Sequence, residues 1–151
     1  MSATWLYLDG HPHSHHRSLA CDSTCEGPRA WTVELPITTP LSLNDRTHWR
    51  IKAKHVAALR HGTTVIVRAE KIPTLARVQV ELHYVPRDSR RRDPLNLVAT
   101  LKAVEDGCVD AGLMTDDSQE HFTSTMPIID PPAGRASRLY IVIREVLESS
   151  K

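Results

Sequence analysis

Between Arg87 and Asp117 the chain concentrates the groups needed to hold a phosphodiester beside a hard divalent cation. Arg87, Arg90, Arg91 and Arg92 stand against a single acid, Asp88, and such a local positive patch grips phosphates. Asp93 follows directly, and Asp116-Asp117 lie further on. Mg²⁺ takes oxygen ligands, usually one or two carboxylates completed by phosphate oxygens and water. Acids at a helix start and in the turn after that helix converge if the next strand folds back along it. The arginines would then carry the scissile strand toward the metal. Each residue also has a plainer use. Asp before Pro is a good helix opening, and adjacent acids often solvate a turn. Lys102 has Glu105 and Asp106 three and four positions on, so it serves either a surface ion pair or a phosphoryl transition state.

The surrounding pattern supplies the elements that must position these groups. Trp31 to Leu35 alternates like a half-buried strand that Pro36 ends. Asp45 or Thr47 is the expected cap of a helix running to about His61, with Gly62 as its stop. Trp49, Ala53, Val56 and Arg60 form one stripe of it, and Ile51, His55 and Leu59 an adjacent one. Val78, Val80, Leu82 and Tyr84 alternate within a strand from about Arg77 to Val85. Asp93-Pro94 opens a second helix, along which Leu97, Leu101, Val104 and Cys108 recur at helical spacing until Ala111-Gly112. Cys108 reads as a buried helix residue. Phe122 to Ile129 is a weaker strand interrupted by Pro127, Pro131 to Gly134 makes a turn, and Arg138 to Val146 is a final strand. The order strand, helix, strand, helix, strand, strand predicts an α+β fold: a small mixed β-sheet packed with helices.

The chain has 151 residues and 40% hydrophobic content, which suits one ordinary domain with some extra chain. Lys plus Arg exceeds Asp plus Glu by only 19 − 18 = 1, so any nucleic-acid affinity must come from where the charge sits. No apolar run is long enough to span a membrane, and the first residues lack a signal-peptide pattern. The odd count of three cysteines suits an intracellular chain, with the cytoplasm as default. Residues 1–29 differ from the domain expected over 30–151. They hold His11, His13, His15, His16, Cys21 and Cys25 with little hydrophobic periodicity. They read as a His/Cys-rich tail or as a small appendage folded on Zn²⁺, with His13, His16, Cys21 and Cys25 as a ligand set.

The ordered series Arg91-Arg92-Asp93-Pro94-Leu95-Asn96, Lys102, Ala111-Gly112 and Asp116-Asp117 resembles the signature of the RusA family of Holliday-junction resolvases. The family pattern runs basic cluster, Asp-x-Asp-Asn, a helix carrying a lysine, Ala-Gly and Asp-Asp. Looser likeness extends from Trp31 through the final strand, about four fifths of the chain. The resemblance implies a RusA-like nuclease domain, usually of phage or prophage type, that resolves four-way junctions or other branched DNA by Mg²⁺-dependent hydrolysis. It implies Asp93 and Asp117 as metal-binding carboxylates, Asp116 as their neighbour in the acidic pocket, Lys102 as the catalytic lysine and Asn96 as a stabiliser of the site. It also implies a homodimer, which fits a junction that must be cut on two symmetry-related strands. Leu95 departs from the pattern. The family has a metal-binding aspartate there, and leucine has no ligand atom. Either the site has lost a ligand or another acid, such as Glu105, Asp106 or Glu120, replaces it. The alternative function is a protein of the same fold that binds branched DNA without cutting. A third reading, from a different class, is a zinc-stabilised interaction protein whose acids are caps and turns.

Overall fold

A computed structural model describes residues 28–41, 48–114, 121–134 and 136–147. The Asp116-Asp117 pair, Glu120, the expected caps Asp45 and Thr47 and the whole His/Cys-rich segment, with His13, His16, Cys21 and Cys25, lie outside the described residues. Within them the chain is an α+β fold of two helices and a five-stranded mixed sheet.

The two long strands are those whose sequence alternates most cleanly. β2 (Val78–Val85) and β5 (Arg138–Glu145) pair antiparallel along their full lengths, and β1 (Ala30–Glu34) adds antiparallel to the other edge of β5. Ile141 thus sits between Val33 and Leu82, and all three are closed from solvent. The weak strand expected over Phe122 to Ile129 is two short ones. Pro127 separates β3 (Phe122–Ser124) from β4 (Ile128–Ile129), and both run parallel to β2. The sheet order is β1-β5-β2-β3, with β4 also on β2.

One sheet face is buried beneath α1 (Trp49–Ala69) and α2 (Val98–Asp110). Val80, Leu82, Leu139, Ile141 and Ile143 meet Leu59, Val67, Leu101, Val104 and Cys108 there. Cys108 is fully buried, and desolvation pushes its thiol up to about 12.

Three sequence expectations are corrected here. The first helix does not stop at Gly62 but runs on to Ala69. Gly62 is instead a close approach: a Cβ there would stand 2.9 Å from Pro36 Cγ. Second, the described N-cap of that helix is His48, whose Nδ1 accepts from the Arg50 amide at 3.3 Å. Third, the buried stripe lies further along than the Trp49 and Ile51 stripes imply. Leu59, Thr63, Thr64 and Val67 face the core, whereas Trp49 and Ile51 are 68% and 47% exposed. Threonine hydroxyls hide this face from a hydrophobicity reading. Thr63 donates to the Leu59 carbonyl, and Thr64 to the carbonyls of Arg60 and Gly107. The polar atoms are thereby satisfied, so burying them is tolerable.

The helices cross closely at Gly107. A Cβ on it would fall 2.7 Å from both the Arg60 carbonyl oxygen and Thr63 Cβ. Arg60, with a bidentate grip on the Asp110 carboxylate, and Arg68, bonded to the Asp110 carbonyl at 2.6 Å, fasten the outer edge of the crossing. α2 ends as expected at Ala111-Gly112, where Gly112 takes φ +79°.

Candidate phosphate-binding cleft

The Asp93-Pro94 opening forms as the residue types require, but its first turn is tighter than an α-helix. Pro94–Leu97 is a 3₁₀ turn that leads directly into α2. Asp93 is extended, and its Oδ1 accepts the Leu95 amide at 3.0 Å. The capping role read from sequence is therefore real. It uses one carboxylate oxygen, and no described group donates to Oδ2.

Asp93 also lines an open cleft of about 870 Å³. Arg91, Arg92, Asn96 and Leu97 share its wall, and Thr39-Pro40-Leu41 face them from the segment after β1. Tyr84 and Ile129, paired across β2 and β4, line it as well. The opposing wall was legible only as a loop rich in Pro and Thr. Thr100, fully buried on α2, holds it in place. Its hydroxyl accepts from the Leu41 amide at 2.8 Å and donates to the Leu41 carbonyl at 3.0 Å.

The arginine loop is a structured cluster with Asp88 at its centre. Arg92 bonds the Asp88 carboxylate at 2.6 Å and the carbonyls of Asp88 and Arg90 at 2.8 and 2.7 Å. Its guanidinium also lies 5.9 Å from the centre of the Tyr84 ring. The Arg92 hydrogen bond, helped by the Arg90 amide, holds the Asp88 carboxyl below its usual range. Arg87 and Arg90 reach the same carboxylate only at 3.7 and 3.9 Å and remain exposed. Arg92 is thus a strap for the loop, while Arg87, Arg90 and Arg91 present charge outward.

Lys102 does not line the cleft. Its ammonium lies 3.0 Å from Asp106 and 3.8 Å from Glu105 on the same helix, the ion pair that helical spacing allows. Leu95 is 53% exposed. It therefore has a limited packing role, and it does not line the cleft. Among the described residues, no group of three His, Cys, Asp or Glu side chains is placed to hold a metal ion. The described cleft contributes one carboxylate, Asp93, to any such site.

A second polar cluster, missed in the sequence, occupies the opposite face of the sheet. His83 Nδ1 is 3.2 Å from the Asp130 carboxylate, which also accepts the Tyr140 hydroxyl at 2.9 Å. The His83 and Tyr140 rings stack with centroids 4.6 Å apart. Burial, reinforced by Asp130, pushes the Tyr140 phenol up to about 12, so it stays a donor. His83 Nε2 is enclosed without a hydrogen-bond partner, 3.8 Å from Glu81. Strand alternation puts positions 81 and 83 on one face, but Asp130 arrives only through the β4 pairing, which local pattern does not reveal.

Comparison with protein-family models and with curated proteins returns no match for this chain. No helix among the described residues is long and apolar enough to cross a membrane.

Proposed function

We propose that this chain is a RusA-like endonuclease fold acting on branched DNA, with a Mg²⁺ site depleted by one carboxylate at Leu95. The observation that carries the reading is the shared wall of Arg91, Arg92, Asp93 and Asn96 in one open cleft. Arginine guanidiniums and the Asp93 carboxylate stand side by side there, just ahead of a capped helix start.

Arg87, Arg90 and Arg91 receive phosphates in this scheme, and Arg92 keeps the loop in shape for them. Asp93 and Asp117 would hold the ion, with Asp116 beside them and Asn96 supporting the turn. When bound, Mg²⁺ supplies an activated water and neutralises charge developing on the phosphoryl group. Lys102 would balance charge at the transition state only after leaving Asp106. A homodimer would offer two equivalent clefts to the two strands cut in a four-way junction. The cytoplasm is the expected setting.

The exposed, ligand-free Leu95 side chain favours a second reading, junction binding without cleavage. Both readings require salt-sensitive affinity for junctions. The test is binding to a four-way junction and to a linear duplex of matched sequence across a salt series. Tighter junction binding at every salt concentration, with log K falling linearly in log salt, is the expected result. Equal affinity for the two, or no salt dependence, overturns both readings and leaves the interaction protein.

A further inference from the structure

The cleft leaves unused the most one-sided charge distribution in the fold. α1 carries Arg50, Lys52, Lys54, Arg60 and Arg68 and no acidic residue. Arg60 and Arg68 are committed to Asp110 at the crossing with α2. Arg50, Lys52 and Lys54 have no carboxylate partner among the described residues, and Arg50 lies over the Trp49 ring at 5.2 Å. No residue from Trp49 to Ala58 is fully buried, and of these only Val56 packs against the described core, so most of about 15 Å of helix surface faces outward. Arg50, Lys54 and His61 recur at spacings of four and seven, which puts them on one face.

We propose that this half of α1 is a second DNA-contacting arm, which grips the phosphate backbone of a duplex flanking the cleft; it rests on the branched-DNA reading of that cleft. Charge chooses the occupant. A second copy of the same helix would meet like charge and be repelled. A membrane surface needs a continuous apolar face, and here Trp49 and Ile51 are the exposed large apolar side chains while the later ones mostly turn to the core. A polyanion satisfies the free cations and needs no apolar groove.

The test measures affinity for a four-way junction across a salt series. It uses the full chain, the triple variant Arg50→Gln/Lys52→Gln/Lys54→Gln, the milder Lys54→Gln, the loop variant Arg90→Gln/Arg91→Gln, and Lys71→Gln in the turn just past α1. Helical circular dichroism and sedimentation are followed for each. The triple variant is expected to lose about tenfold in affinity and to lower the salt slope by about 2, since Arg50 and Lys54 share the contact face, and Lys54→Gln by about 1. Lys71→Gln is expected to change neither. A loop variant that weakens binding while the α1 variants match the full chain overturns the arm and leaves the cleft reading standing. A salt-independent full chain overturns both. An α1 variant whose oligomeric state shifts while its salt slope does not makes the face a self-association surface and overturns the arm. An equal loss from Lys71→Gln reduces the effect to overall charge and also overturns it.

Discussion

At the scale of single residues, Asp93 shows how one side chain can close a turn and still face a cleft. Oδ1 closes the first turn before α2, and the rest of the carboxylate remains available at the cleft wall. The cap read from the sequence forms, and the metal-binding role stays a proposal beside it. Thr100 is the opposite case: a buried hydroxyl whose work is invisible in the sequence because its partner lies 59 residues away. Thr100→Val keeps the shape but leaves the Leu41 amide and carbonyl unsatisfied. It is expected to cost about 1–3 kcal/mol in urea unfolding; a change under about 0.5 kcal/mol would mean that Leu41 is not held this way. Asp88 sets a pH limit on the arginine loop. Its folded pKa is lowered, so its stabilising contribution is complete above its ordinary value of 3.8 and fades as pH falls through the folded value. Loop order, followed by amide chemical shifts of Asp88 to Arg92, should be constant from neutral pH down to about 3.8 and lost only below it. Loss at a distinctly higher pH would show that some other group fastens the loop.

At the scale of elements, period-two alternation made β2 and β5 legible, because one sheet face is buried wall to wall under two helices. The start and the glycine stop of α2 were legible for a similar reason, since capping and stop residues act locally. α1 was harder. Its core face contains Thr63 and Thr64, and its exposed half carries Trp49 and Ile51, so hydrophobicity alone points the helix the wrong way. β3 and β4 are three- and two-residue parallel strands held by the pairing edge of β2, a contact local pattern does not encode. The helix crossing makes a direct prediction. Gly107→Ala is favourable for helix propensity, but its methyl meets the Arg60 carbonyl and Thr63 at 2.7 Å. Backbone cannot yield as a flexible side chain does, so overpacking should win and lower stability by about 1–3 kcal/mol. A stabilised Gly107→Ala variant would show that the helices separate freely.

At the scale of the whole molecule, the two sheet faces divide the labour. One is sealed by helices and delivers Asp93, Asn96 and the arginine loop to a cleft at its margin. The other carries the Glu81, His83, Asp130 and Tyr140 cluster. The overall charge is nearly balanced, so the selectivity proposed for branched DNA would have to come from the placement of the loop and of α1. The proposed metal site rests on an ordered series of residues in the sequence, and Asp116-Asp117 of that series lie outside the described residues. The central claim concerns position 95. Leu95 is exposed and buries little, so Leu95→Asp should leave the fold intact while adding an oxygen ligand beside Asp93. The deciding measurement is Mg²⁺-dependent nicking of a synthetic four-way junction by this chain and by Leu95→Asp side by side. The account predicts that both bind the junction and that the aspartate variant cuts faster by about tenfold or more, since even outer-shell partners of metal ligands change activity by about 10–100-fold. A variant that folds and binds but nicks no faster than the original chain would contradict it.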